Sequence, residues 1–211
     1  MYRILCDSYV LYDPRLPDLF VLEPGLTQKK NEPGELTFTI PKEHKHYGVL
    51  EKLKSRIKVY RDDTLIWVGR AIEDERDLYE NRKVVAEGSL AYLLDSILRP
   101  FAMDGTATDI WTHILTLHNT LVNVSQRLGI GNCNLAGSVG VATKDYLSAW
   151  QILKTSLLDL LGGYLIVRFD ENENPILDYF TDVPDTSTQR IEFGENLIEL
   201  VLSKNASETY T

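Results

Sequence analysis

The sequence predicts an α+β protein, with an antiparallel β-rich region first and an α/β segment of three helices and β-hairpins after it. Three observations carry this. Up to about residue 90, apolar residues alternate with polar ones in short runs. Beyond that point the apolar period lengthens to a helical one. Turn residues punctuate both regions at close intervals.

The elements follow in order. "YRILC" and "YVLYD" read as strands separated by a turn at Asp7 and Ser8. "LFVLEPGLTQKKNEPGELTFTI" holds two further strands, interrupted by Pro24-Gly25 and by Asn31 to Gly34, both of which carry turn chemistry. "LTFTIP" ends at Pro41 and gives way to a polar connection with a short helical turn, "KEHKHYGVLEKL". The clearest hairpin is "RIKVYRDDTLIWVGRAI", where Ile57, Val59, Leu65, Trp67 and Gly69 alternate around an Asp62-Asp63 tip. "RKVVAEG" adds one more strand. Short antiparallel strands at this density argue for a barrel or a sandwich.

Ser89 is then expected to cap a helix over "LAYLLDSILR", with Leu90, Leu93, Leu94 and Ile97 at helical spacing and Pro100 after its end. "DIWTHILTLHNTLV" predicts a second helix, with Ile110, Ile114, Leu117 and Leu121 on one stripe. "SAWQILKTSLLDLL" predicts a third, stopped by Gly162-Gly163. "YLIVRFD" and "PILDYF" flank "ENENP" as a second hairpin, and "QRIEFGENLIELVLS" reads as one or two strands. The divisions drawn from this are residues 1–90, 91–190 and 191–211.

At 211 residues the chain is long enough for one large domain or two small ones. Its 44% hydrophobic and 25% charged fractions are those of an ordinary soluble globular protein. The net charge of −9 is spread along the chain, and no basic patch of the kind that grips nucleic acid is legible. Cys6 and Cys133 are the only cysteines, too few for a disulfide framework or a four-ligand zinc site. No signal peptide is visible, and no apolar run approaches the ~20 residues of a membrane span.

Each chemically suggestive group has a plainer reading. His44 and His46 flank Lys45 with no further ligands nearby, and they read as solvated loop histidines. His113 and His118 lie five apart, a spacing that does not share a helix face. His118-Asn119 with Cys133 could suggest a cysteine-protease set, but Cys133 has no nucleophile signature around it. "LGIGNCNLAGSVG" is rich in glycine yet matches neither phosphate-binding fingerprint, and it reads as a flexible connection. The carboxylates of "EDERD" and "DENEN" fall at loops or hairpin tips, where they are expected to be solvated. Trp67, Trp111 and Trp150 could stack sugars, though their apolar positions favour core packing. The residues therefore offer no catalytic set, no cofactor motif and no metal site.

The order of these segments adds a resemblance. "GELTFTIPKEHKHYGVLEKLKSRIKVYRDDTLIWVGRAIEDERDLYENRKVVAEGSLAYLLDSILRP", continued by "LHNTLV", "LGGYLIVRFD", "ILDYF" and "IEFGENLIEL", resembles the N-terminal region of phage tail-associated proteins. This is the family often labelled prophage tail endopeptidase, the baseplate hubs of Gram-positive siphophages and their prophages. The resemblance implies a hub fold similar to the trimeric hub of contractile tails. In that fold two barrel-like β-domains are joined by α/β elements. Residues 1–90 would then be the first barrel-like domain, and 191–211 the start of a second, cut short.

It further implies a homotrimeric ring in the full-length protein, seated on the distal tail protein in the virion tail and assembled in the bacterial cytoplasm. Neither specific nucleic-acid binding nor membrane insertion is expected of this segment. Net negative charge would suit a channel through which DNA slides without sticking. The alternative is a tail-borne peptidoglycan hydrolase or endopeptidase. Its activity is expected downstream, so these residues are read as non-enzymatic.

Overall fold

The computed structural model describes residues 1–183; the expected strands of "QRIEFGENLIELVLS" lie outside the described residues. Seven strands come first: β1 (Tyr2–Cys6), β2 (Tyr9–Tyr12), β3 (Leu22–Thr27), β4 (Glu35–Ile40), β5 (Arg56–Arg61), β6 (Thr64–Arg76) and β7 (Arg82–Gly88). They form one antiparallel sheet in the order β2-β1-β5-β6-β7-β4-β3. The sheet curls into a half-barrel and does not close, because β2 and β3 are both edges with no ladder between them.

Alternation explains which face turns inward. Ile4, Cys6, Leu36, Phe38, Ile40, Ile57, Val59, Trp67, Ala71, Val84 and Ala86 form one buried cluster. The Asp62-Asp63 tip and the β5–β6 pairing stand where the sequence placed them. Pro24-Gly25 does not interrupt a strand as expected. It lies inside β3 at a register shift, and an edge strand tolerates a residue that cannot donate to a ladder. Residues 41–55 form a run of turns rather than a helical turn.

Buried Arg82 holds that run of turns in place. Its guanidinium grips Asp74 through two bonds, Nε to Oδ1 at 3.0 Å and Nη2 to Oδ2 at 2.6 Å. It also donates to the carbonyls of Tyr47 and Leu50. The bidentate pair draws the Asp74 carboxyl below its usual range.

The second region packs around its own cluster, which includes Leu93, Ile110, Trp111, Ile114, Leu115, Leu153, Leu177 and Tyr179. Its elements are β8 (Ile97–Leu98), β9 (Ala102–Thr106), α1 (Ala107–Leu121), β10 (Gly129–Cys133), β11 (Ser138–Ala142) and β12 (Leu147–Ser148). They are followed by α2 (Ala149–Leu153), α3 (Asp159–Leu161), β13 (Tyr164–Phe169) and β14 (Pro175–Phe180). β13 and β14 form the expected hairpin, and β10 joins β14 in parallel. Two further pairs, β9–β11 and β8–β12, brace the helices.

One of the three expected helices is replaced. Residues 89–94 make only a 3-10 turn with no side-chain cap from Ser89, and Ile97–Leu98 is extended. Ser96 must reach His118, and Asp95 must reach Arg70, so the chain leaves the helical path there. The second helix begins at Ala107, with Thr106 as its cap, not at Asp109. Thr106 and Asp109 form a reciprocal capping box. The third is a single helical run from α2 through a π-turn at Lys154–Leu158 into α3, capped by Ser148 with Gln151. Gly162 and Gly163 end it at φ of 69° and 95°, a backbone state that glycine adopts without penalty.

Candidate assembly surfaces

The two regions meet through a set of polar clamps. Arg56, Lys58 and Tyr60 are alternate residues of β5 and point away from the half-barrel core. All three converge on Glu173, at the tip of the β13–β14 hairpin. Lys58 Nζ lies 2.7 Å from Glu173 Oε2, the Tyr60 hydroxyl donates to Oε1, and Arg56 donates to the Glu173 carbonyl. The Lys58 and Tyr60 bonds lower the Glu173 carboxyl below its usual range. Desolvation, reinforced by the bond to Glu173, pushes the Tyr60 phenol up to about 12.

Asn31, held at φ 56°, accepts from Leu165 N at 2.8 Å and donates to the Gly163 carbonyl at 3.1 Å, tying the β3–β4 turn to the start of β13. Arg70 completes the join. It spans Glu87 on the sheet and Asp95 beyond it, at 2.6 to 2.9 Å.

Between the two sheet edges lies a hollow of about 390 Å³, walled by Ile4, Tyr12, Leu26, Leu36, Val59 and Ile66. At the far end of the β6–β7 hairpin, Leu78 is 99% exposed and Tyr79 80%. Neither feature has a sequence signature. The exposed pair could have been found by asking which apolar residues fall on a turn.

The residues singled out from the sequence are structural in their placement. His44 is buried, not solvated: Nδ1 accepts from His46 N at 3.0 Å, so Nε2 carries the proton and donates to the Leu11 carbonyl at 2.9 Å. Both ring nitrogens are thereby used. His118 is likewise buried, between Ser96 Oγ at 2.8 Å and the Gln126 carbonyl at 3.2 Å. Desolvation lowers both imidazoles below the usual histidine value. Asn119 spends its amide on the backbone of Leu128, so the His118, Asn119 and Cys133 side chains do not form a nucleophile relay. His113 packs edge-on to Phe101, and His46 stacks near Tyr9.

Cys6 is buried, and its thiol is pushed up to about 11 by desolvation. Among the described residues, no group of three or more His, Cys, Asp or Glu could hold a metal ion. Trp67 and Trp111 are core residues, and Trp150 packs partly buried against the second cluster.

Two expectations need correction beyond His44. "LGIGNCNLAGSVG" is not a flexible connection, since it contributes β10 and β11 to two sheets. Its Gly131 faces the Asp178 carboxylate so closely that an added Cβ would stand 2.0 Å from Oδ1. Nor are "EDERD" and "DENEN" merely solvated turns, because the first lies mostly in β6 with Asp74 held by Arg82, and Glu173 within the second is the clamp described above.

No family model matches the chain, and no curated protein does. Solved structures do match in fold. The prophage tail protein gp18 from Listeria monocytogenes EGD-e superposes with a TM-score of 0.50 at 14% identity, over 84% of this chain and 50% of that one. The tail protein from Neisseria meningitidis MC58 gives 0.58 at 10% identity, over 83% and 50%. The 43 kDa tail protein of prophage MuSo2 from Shewanella oneidensis gives 0.55 at 11%, over 83% and 53%. The mostly-β architecture, with its curled half-barrel and few helices, is thus a fold found in phage and prophage tail proteins. The chain spans about half the length of the tail proteins it matches.

Proposed function

We propose that this chain is a structural component of a phage or prophage tail tip, the first part of a baseplate hub. The observation that carries the reading is a shared fold with three tail proteins, over most of this chain and half of each of theirs. In this reading residues 1–90 form a barrel-like hub domain and 91–190 an α/β domain described as far as residue 183, while the expected start of a second barrel at 191–211 lies outside the described residues. Three copies of the full-length protein form a ring that closes or continues the tail channel, seats on the distal tail protein and anchors downstream modules. The polar clamps at Glu173, Asn31 and Arg70 support it, since a ring subunit must hold its two halves in one orientation. The chain's role is scaffolding rather than catalysis.

Immunogold labelling of intact tails with an antibody to residues 1–183 tests this. Label confined to the tail tip, with a trimeric native mass for the full-length protein, is the expected result. Label along the tube, or on the capsid, overturns the reading. Clearing of purified peptidoglycan by the 211-residue chain would overturn the scaffolding assignment in favour of a tail-borne hydrolase.

A further inference from the structure

We infer that the second region is a latched lobe: it swings as one body on the half-barrel, about the crossing at Gly88–Leu90, when the Glu173 catch lets go. The swing belongs to the chain itself, whatever assembly the chain joins.

Each region holds a core of its own. The first apolar cluster draws on residues from Ile4 to Ala86 and the second on residues from Leu90 to Tyr179, and no residue belongs to both. Turning one against the other therefore opens neither core. Among the described residues the chain crosses once, from Gly88 at the end of β7 to Leu90. That crossing is pinned. Arg70 holds Glu87 before it and Asp95 after it, and its guanidinium lies 5.2 Å from the centre of the Tyr92 ring. The Arg70 side chain is only 11% exposed, so salt screens the pivot little.

The β13–β14 hairpin is caught rather than packed. Arg56, Lys58 and Tyr60 hold Glu173, and Asn31 holds the Gly163 carbonyl and Leu165 N. Lys30 Nζ adds a cation over the Tyr164 ring, 3.9 Å from its centre. Alongside these catches the walls stand apart. A cleft of about 300 Å³ is lined by Ile66, Trp67 and Val68 of β6 and by Leu165, Ile166 and Val167 of β13. A second, of about 520 Å³, has Thr64 and Leu65 on the half-barrel and Phe169 and Asp170 on the hairpin. Packed interiors leave few voids larger than a water molecule, and a polar join between regions makes relative motion the default. The Glu173 side chain is 36% exposed, so ions reach the catch. Its bond to Lys58 is charge-assisted, and a competing cation or loss of the carboxylate charge undoes it.

Paired spin labels test it. The 211-residue chain carries Lys45→Cys on the half-barrel and Tyr146→Cys on the lobe, both exposed positions, with Cys133→Ser and with Cys6 left buried. Pulsed electron resonance at low salt is expected to give one distance. Glu173→Lys sets a like charge against Lys58 and Arg56, and it is expected to raise the share of a second distance about ten-fold or more. Salt near 1 M, where the Debye length is about 3 Å, is expected to do the same without any change at Glu173. Amide exchange read by mass spectrometry should quicken in residues 64–68 and 164–169 while β1 and α1 stay protected. One unchanged distance in both Glu173→Lys and high salt overturns the latch. Protection lost from β1 and α1 together with the cleft also overturns it, because the clamp is then part of a single cooperative core. Should Glu173→Lys not fold, the salt series decides alone, and a single distance throughout it overturns the latch.

Discussion

The Lys58 ammonium lies 2.7 Å from the carboxylate of Glu173, a residue 115 positions away, and the Tyr60 hydroxyl meets the same carboxylate from the next outward position of β5. One acidic side chain on a hairpin tip thus fastens the second region to the outside of the half-barrel. Glu173→Ala is expected to lower stability by about 1–2 kcal/mol, held down by the partial exposure of the site. The loss should appear as a shifted urea midpoint. The pH dependence follows from the directions. Glu173 is lowered in the fold, so its contribution is present above 4.5 and is lost as pH falls through the folded value. Tyr60 is raised, so its contribution is present below 10 and is lost as pH rises toward about 12. Tyr60→Phe should flatten the alkaline limb, and an unchanged limb would count against the clamp.

Gly69 and Gly88 face each other across β6 and β7, beneath the Trp67 indole. A Cβ on Gly88 would stand 1.9 Å from the Pro33 carbonyl oxygen, and one on Gly69 would stand 2.1 Å from that of Glu87. Both obstacles are backbone, which has nowhere to move. Either alanine variant is expected to cost about 3 kcal/mol or more. Shaving Trp67 to leucine should not restore it, because the indole is not the main obstacle. Thermal melts of the single and double variants decide this.

Both buried histidines are held as neutral Nε2–H imidazoles. Their folded values lie below 6.5, so the unfolded chain binds protons first, and stability falls as pH drops below 6.5. His118→Gln should reduce that slope. Zinc should leave the melting temperature of the 211-residue chain unchanged, because no ring nitrogen of His44 is free. A zinc-dependent rise would reopen a metal role for the pair.

Arg82 has four acceptors within reach in a buried place, and a lysine could not satisfy them with one ammonium. Arg82→Ala is expected to cost about 3–5 kcal/mol by leaving Asp74 unpaired. Arg82→Lys should recover only part of this. Proteolysis should show new cleavage within residues 41–55 in both variants, since the Tyr47 and Leu50 carbonyls lose their donor.

Local periodicity made much of the fold legible. The β5–β6 and β13–β14 hairpins and the glycine stop at 162–163 stand where it put them, and α1 does so but for a start two residues earlier, because neighbours in sequence determine them. Segments settled by distant partners were not legible. Leu90, Leu93, Leu94 and Ile97 have helical spacing, yet Asp95 and Ser96 are claimed by Arg70 and His118, and the chain straightens. The glycines of 128–140 looked flexible because the strand that pairs β10 in parallel lies more than forty residues downstream. His44 looked solvated because its acceptor is the Leu11 carbonyl. The hollow between the sheet edges was hidden for the same reason. Its walls come from strands that are remote in sequence, and each wall residue alone is an ordinary core position.

The two apolar clusters also differ in when they can exist during synthesis. The half-barrel cluster draws only on residues between Ile4 and Ala86, so its core is complete before α1 has been translated. The second cluster needs Leu177 and Tyr179, and β10 finds its parallel partner only in β14. A ribosome paused before that strand would hold a finished half-barrel followed by an amphipathic helix with its greasy side bare, the type of intermediate that chaperones capture. Glu173 emerges just ahead of β14, so the clamp onto β5 can engage a platform that is already folded. Vectorial synthesis thereby assembles the fold from its N-terminal end.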